Sequence, residues 1–482
     1  MAALPLRQIL VPLIVACALF MENLDSTVIA TALPAIAESL HEDPLRLNLA
    51  ITSYLLSLAV FIPLSGWVAD RYGARSVFRA AIVVFTLGSA CCGIAQSLPE
   101  LVAARIVQGV GGAMMVPVGR LVMLRTVPKS ELVRAMSYLT VPALVGPVLG
   151  PPLGGFIVTY SSWRWIFYIN LPIGVLGILL ATLFIENVKE SGDWPLDLRG
   201  FLLAGIGLAG LMFGFETAGR GVLPLPLVAS LLAVGAISLT LYVLHTRVHA
   251  HPIIDLNLLR IPTFAAAITG GSLFRIGIGA LPFLLPLMLQ LGFGLTPFAS
   301  GLLTFASAAG AMTMKMTAAP IIRAFGFRRV LLGNAVISAA FVMSYSLFAP
   351  STSHWVIFAA LLAGGFFRSL QFTSTNTLIF ADVPPPLMSR ATSFQSMAQQ
   401  LCVSIGVGIG ALLLHVTLAV KGQTALAADD FAAAFLTVGL ISLTSIYFYL
   451  PLAREAGAEV SGHRAASETK SDAFSDRGAT GD

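Results

Sequence analysis

Val77-Phe-Arg-Ala-Ala-Ile-Val-Val-Phe-Thr-Leu-Gly-Ser-Ala-Cys-Cys-Gly-Ile-Ala-Gln96 is an apolar run of twenty residues. The short turn Ser97-Leu-Pro-Glu100 follows, and a second apolar run extends from Leu101 to Leu124. A helix rising about 1.5 Å per residue needs roughly 20 such residues to cross the hydrocarbon of a bilayer. Two runs of that length joined by a four-residue polar turn read as a pair of antiparallel membrane spans. The same pattern recurs along the chain. Working outward, spans are expected near 8–33, 48–69, 77–96, 101–124, 135–159 and 165–186, then near 199–217 and 222–245. The last six lie near 263–290, 297–319, 328–348, 354–380, 393–418 and 431–452. The fold class this predicts is an all-α polytopic membrane protein of about fourteen transmembrane helices.

Composition agrees with lipid as the solvent. Apolar residues make up 57% of the 482 and charged residues 11%, against about a quarter charged in a soluble domain. The net charge of +5 raises the question of a nucleic-acid partner. The distribution of the basic residues answers it. With the N-terminus placed inside, the inside segments before the tail carry sixteen Lys and Arg, Arg120 and Arg125 among them, and the outside loops carry four (Arg46, Arg164, Arg220, Lys421). That is the positive-inside bias; it places both termini in the cytoplasm and needs no nucleic acid. The first span runs on through Glu22 and Asp25 without a processing region, so it does not read as a cleavable signal. Cys17, Cys91, Cys92 and Cys402 fall inside predicted spans, too scattered for a disulfide framework or a zinc site. His245, His249 and His251 cluster in a predicted inside loop without a neighbouring carboxylate or cysteine, so no metal site is assigned. Residues 453–482 turn polar and are expected to form a disordered cytoplasmic tail.

The spans fall into two related sets. Arg105-Ile-Val-Gln108 is matched by Arg368-Ser-Leu-Gln371. Each is followed by Val-Pro, at 127–128 and 383–384, and then at equal offset by Arg-Ala, at 134–135 and 390–391. Gly66-Trp-Val-Ala-Asp70-Arg71-Tyr-Gly73-Ala-Arg75 has a looser counterpart at 320–329. The domains expected are a six-helix half at 1–187, a linker with two extra spans at 188–250, a second six-helix half at 251–452 and the tail. Parallel repeats of this kind build transporters that rock about a central site.

Ionisable residues within spans carry the functional reading, because each is estimated to cost ~2.5–3.5 kcal/mol at a helix centre. Glu22 and Asp25, at i and i+3, share one helix face. Two like charges in poorly solvated surroundings disfavour double ionisation, which makes the pair a candidate proton site. Arg105 is a candidate buried partner for a carboxylate, set against the plainer reading of a side chain snorkelling to the outer surface. Arg275 and Arg368 are candidate cavity charges in the second half, and Lys315 reads as snorkelling at the inner end of its span. Gly146, Gly150 and Gly154 recur every four residues and form a stripe that lets helices approach closely. Pro147, Pro151 and Pro152 interrupt the same helix and should bend it. The chain contains no Gly-Lys-Ser/Thr phosphate loop and no Ser/His/Asp set, so it does not read as an enzyme or an ATP-driven pump.

These segments resemble the major facilitator superfamily, and in particular its fourteen-span drug:proton antiporter branch of the EmrB/QacA type. Leu24-Asp25 through Leu33-Pro34 is similar to that branch's first-span motif. Gly66 to Arg75 is similar to the superfamily loop motif, with Ala74 where a basic residue is usual. Arg105 to Gly109 and Gly146 to Gly155 are similar to the motifs of spans four and five, and Trp163 to Gly174 resembles a stretch typical of the fourteen-span branch. The resemblance implies two six-helix bundles and proton-driven export of amphipathic small molecules across a bacterial inner membrane. No cofactor is implied beyond the proton gradient, and a periplasmic adaptor is left open. Asp25 would accept the proton, with Glu22 beside it, and Arg105 would assist coupling. Gly66, Asp70, Arg71, Gly73 and Arg75 would form a cytoplasmic latch between the halves. Gly146, Pro147, Gly150, Gly154 and Gly155 would permit the bend that distinguishes antiporters. Glu22 stands where a neutral polar residue is expected, and an extra carboxylate there would alter proton stoichiometry or favour a cationic substrate. The alternatives kept open are a dedicated metabolite exporter or importer of the same fold, and a non-transporting sensor or scaffold.

Overall fold

The computed structural model describes residues 6–42, 44–187, 189, 195–218, 223–423 and 426–463. Among them there is no strand. The helices are α1 (Leu6–Leu40), α2 (Pro44–Phe61), α3 (Ser65–Tyr72), α4 (Ala74–Ile94), α5 (Leu98–Thr126), α6 (Leu132–Tyr160), α7 (Trp165–Tyr168) and α8 (Asn170–Phe184). The linker pair follows as α9 (Leu198–Thr217) and α10 (Leu225–Thr246). The second half holds α11 (Pro262–Gly279), α12 (Leu281–Leu287), α13 (Pro297–Ser344), α14 (His354–Leu378), α15 (Met388–Lys421), α16 (Phe431–Tyr449) and the short α17 (Ala458–Ser461).

Local chemistry sets these boundaries. Asp197 caps α9 by accepting the Gly200 N–H at 2.8 Å, and Thr296 caps α13 by accepting that of Ala299 at 3.2 Å; both satisfy donors that a helix start leaves free. Gly73 separates α3 from α4 with φ 88°, a conformation that costs other residues a clash. Gly422 closes α15 in the left-handed region.

Twelve helical segments among the described residues are long and apolar enough to cross a membrane. One of them is not a simple span. At 48 residues α13 would reach about 72 Å, over twice the roughly 30 Å hydrocarbon. Its backbone leaves helical geometry at Gly326, with φ 73°. The sequence reading divided this region into 297–319 and 328–348, which places Gly326 in the turn. α6, of 29 residues, runs unbroken through Pro142, Pro147 and Pro151; the side chains of these three lie outside the described residues.

Among the described residues the halves share an apolar core at one end. The end that carries the basic turns holds a core drawn from both halves, in which Phe78, Leu121 and Met123 join Phe264, Ile322 and Phe394. At the other end there are two separate cores. One is built from the first half alone, around Ile29, Leu101 and Phe167, and the other from the second half alone, around Leu284, Tyr345 and Phe435. Polar contacts follow the same division. Ser65 and Ser393 hydroxyls lie 2.8 Å apart across the halves at the basic end.

The chain after 452 departs from the tail expected to be disordered. Gly457 turns with φ 69° into α17, whose Val460 is fully buried. Lys129 of the first half meets Glu459 at 3.1 Å, and His463 Nδ1 lies 2.8 Å from the Arg323 carbonyl oxygen of the second. This segment packs because Val460 finds apolar cover at the seam, which composition alone does not reveal. Residues 464–482 lie outside the described residues.

Candidate functional site

Asp25 sits in α1 with its carboxylate wholly inside the first half, and Arg105 of α5 is 0% exposed. Arg105 Nη1 donates to Asp25 Oδ2 at 2.5 Å. Gln108 Nε2 and Asn170 Nδ2 donate to Asp25 Oδ1 at 2.9 and 3.0 Å. The guanidinium is held in turn. Its Nε donates to the Ala50 carbonyl at 3.1 Å, its Nη1 to Gln108 Oε1 at 2.7 Å, and it stacks 4.3 Å above the Tyr54 ring. Ser89 accepts from Asn170 at 2.9 Å and donates to the Phe167 carbonyl. Five elements, α1, α2, α4, α5 and α8, thus converge on one buried ion pair. Taking two charges out of water costs several kcal/mol per ion unless hydrogen bonds satisfy their remaining lone pairs and protons. Here both carboxylate oxygens are occupied by donors.

Sequence reasoning selected Asp25 and Arg105. It missed Asn170, Ser89 and Tyr54, which carry no signal beyond being polar within apolar spans. The snorkelling reading of Arg105 is overturned, since its side chain is closed off by Tyr54 and the Ala50 carbonyl. Glu22 lies one turn before Asp25 and is half-buried; its Oε2 is shielded and has no hydrogen-bond partner among the described residues. It is therefore close to the ion pair but outside its hydrogen-bond network.

The glycine stripe of α6 packs on α1 beside Asp25. A Cβ on Gly146 would meet the Leu24 nitrogen at 3.0 Å, one on Gly150 would collide with Thr27, and one on Gly154 with Thr31. Gly155 has no neighbour within 4 Å and does not belong to this contact. For Pro147 only the backbone is described.

The expected latch divides into two groups. Gly66 and Asp70 face the other half: a Cβ on Gly66 would lie 2.9 Å from the Ser389 carbonyl oxygen, and Asp70 Oδ2 accepts from the Ser389 hydroxyl. Asp70 also meets Arg125 at 3.4 Å. Gly73 and Arg75 instead secure the first half to itself. A Cβ on Gly73 would collide with Asn187, and Arg75 Nη1 donates to the Ile185 carbonyl at 3.3 Å. Arg71 lines a small pocket with Pro195, Asp197 and Arg390.

In the second half Arg275 and Arg368, together with Lys315, line a cavity of about 360 Å³. Lys315 does not snorkel: it is 8% exposed and donates to Thr373 at 2.5 Å. Arg120 was counted with the inside segments, yet it is buried within α5 and donates to Gln395 Oε1 of the other half at 2.6 Å. The helix continues to Thr126, so Arg120 lies about 9 Å short of its end. The histidine cluster also differs from expectation. Asp197, remote in sequence, supplies the missing carboxylate, with His245 Nε2 at 2.8 Å and His249 Nε2 at 3.9 Å from its Oδ1. That oxygen already caps α9.

An all-helical membrane bundle of two halves, parted at one end and holding a buried ion pair, has the form of a secondary transporter. The chain belongs to the Major Facilitator Superfamily, whose model matches residues 15–281 and 267–478. It is a transporter and not an enzyme. It is similar to the MdtD protein of Shigella boydii serotype 4, named for multidrug resistance, with 43% identity over 83% of this chain and 85% of that one. The MdtD protein of Pectobacterium atrosepticum is likewise 43% identical, over 84% and 86%. Among solved structures the fold is shared with the human organic anion transporter MFSD10, with TM-score 0.68, 15% identity and coverage of 92% and 100%. It is also shared with the proton:xylose symporter XylE, with TM-score 0.65, 14% identity and coverage of 94% and 98%.

Proposed function

We propose that the chain is a proton-coupled exporter of amphipathic small molecules that works by alternating access. The observation that carries this reading is Asp25, buried and held by Arg105, Gln108 and Asn170. Protonation removes the charge that holds Arg105, so one proton changes the stability of the whole five-element cluster. α1 transmits the change, because the α6 glycine stripe abuts it on either side of Asp25. The similarity to bacterial proteins named for multidrug resistance supports export of varied substrates.

The topology reads as fourteen spans. Counting α6 and dividing α13 at Gly326 adds two to the twelve apolar segments. The arrangement is then six, two and six, with α9 and α10 between the halves. The basic end would face the cytoplasm of a bacterial inner membrane, with both termini there, by the positive-inside rule. The conformation is then outward-open, closed by the shared core at the cytoplasmic side.

The test is transport by the purified chain in proteoliposomes with an imposed pH gradient, across a panel of dyes and biocides. Substrate movement should depend on the gradient, and Asp25→Asn should abolish that dependence in protein that still inserts in the membrane. Gradient-driven transport that survives Asp25→Asn would refute the assignment.

A further inference from the structure

The cavity in the second half is unusual in its charge. Arg275, Lys315 and Arg368 line it, and among the described residues no carboxylate does. Their partners are all neutral. Arg275 Nη2 donates to Asn376 and lies over the Phe372 ring, Lys315 donates to Thr373, and Arg368 Nη2 donates to Ser307 at 2.8 Å. A fourth cation joins them through amides. Gln395 donates to Asn376 Oδ1 at 2.8 Å and accepts from Arg120 at 2.6 Å. Of the first-half carboxylates, Asp25 is fully engaged by Arg105, Gln108 and Asn170, and Glu22 does not line this cavity. Buried charges are ordinarily paired, and within a membrane each is costly. A protein that gathers this much positive charge around one space, with only hydroxyls and amides as partners, has left the countercharge to a ligand. Ile278, Phe372 and Val403 supply an apolar wall to the same space, which suits an organic body and gives an inorganic ion nothing to rest on.

We propose that this cavity binds the acidic group of the transported molecule, so that the preferred substrates are amphipathic organic anions. The acid would lie among Arg275, Lys315 and Arg368, and the apolar body along Phe372 and Val403. This rests on the exporter reading and narrows it. It also reverses the cationic preference that Glu22 suggested.

Two readouts on the full chain separate the two claims. The first is binding of carboxyfluorescein to detergent-solubilised protein, followed by anisotropy. The second is movement of carboxyfluorescein and of cationic ethidium in proteoliposomes under a pH gradient. The unaltered chain should bind carboxyfluorescein and move it in preference to ethidium. Arg275→Gln and Arg368→Gln should each weaken binding by at least about tenfold, the loss of one charge-assisted contact. Arg275→Lys and Arg368→Lys, which keep the charge and guard against misfolding, should weaken it less. Transport of ethidium without binding or transport of carboxyfluorescein would overturn the anion inference and leave the exporter reading intact. Binding that obeys the charge series without transport of either dye would uphold the site and refute export. Binding unchanged by the Gln variants would overturn the site.

Discussion

Removing the two charges of the Asp25–Arg105 pair together should cost less than the sum of the losses from removing each alone. Asp25 accepts one hydrogen bond from a guanidinium and two from neutral amides. In Asp25→Asn, one oxygen remains for Gln108 and Asn170, but an amide faces Arg105 and leaves that cation buried without a counterion. Breaking a buried pair in this way costs about 3–5 kcal/mol. In Arg105→Gln the carboxylate keeps its two amide donors and can neutralise itself by binding a proton, so the expected loss is about 1–3 kcal/mol. The double variant leaves no unpaired charge, and it should recover about 2–3 kcal/mol relative to the sum of the single losses. The assay is denaturant unfolding in detergent, followed by tryptophan fluorescence, for all four proteins. Single losses that add to within about 0.5 kcal/mol would show two independent sites and refute the pairing as the element a proton releases.

Other expectations concern the helix contacts. Gly150→Val should destabilise the chain by about 1–3 kcal/mol through overpacking against Thr27 and should slow transport, whereas Gly155→Ala should change neither, as thermal unfolding and dye efflux will show. Asp70→Asn should weaken the contact with Ser389 and Arg125, and Gly66→Ala should force apart α3 and α15. Both should shift spin labels on α3 and α15 toward longer separations by electron paramagnetic resonance; unchanged distances would remove Asp70 and Gly66 from the closure. Glu459→Gln should increase protease cleavage after residue 452 in inside-out vesicles, because it removes the Lys129 contact of α17.

The all-helical, membrane-spanning character of the chain was legible in the sequence because burial in lipid imposes a length and a composition that no soluble core shares. Asp25 and Arg105 stood out because charge in such a segment is rare. Their pairing was not legible: they are 80 residues apart, and only packing of α1 on α5 joins them. Asn170 and Ser89 carry no charge and are ordinary polar residues in a membrane helix, so nothing in sequence singles them out. Arg120 and Lys315 were misplaced for a geometrical reason. Each stands near the end of an apolar window, yet the helix continues beyond the window, which draws the charge inward. Gly326 was legible as a turn because it falls between two apolar runs, 297–319 and 328–348.

The linker helix α9 also shapes how the bilayer meets the transporter. Leu208 and Met212 of α9 pack with Ala59 of α2, and with Met397 and Leu401 of α15. α9 therefore fills the groove where the two halves adjoin along that flank. A two-bundle protein has two such flanks, and each is a sideways window through which a molecule dissolved in lipid can reach the interior. Here one window is plugged by the protein's own chain. The opposite flank is where α6 packs on α13, so the two flanks present the bilayer with unequal surfaces.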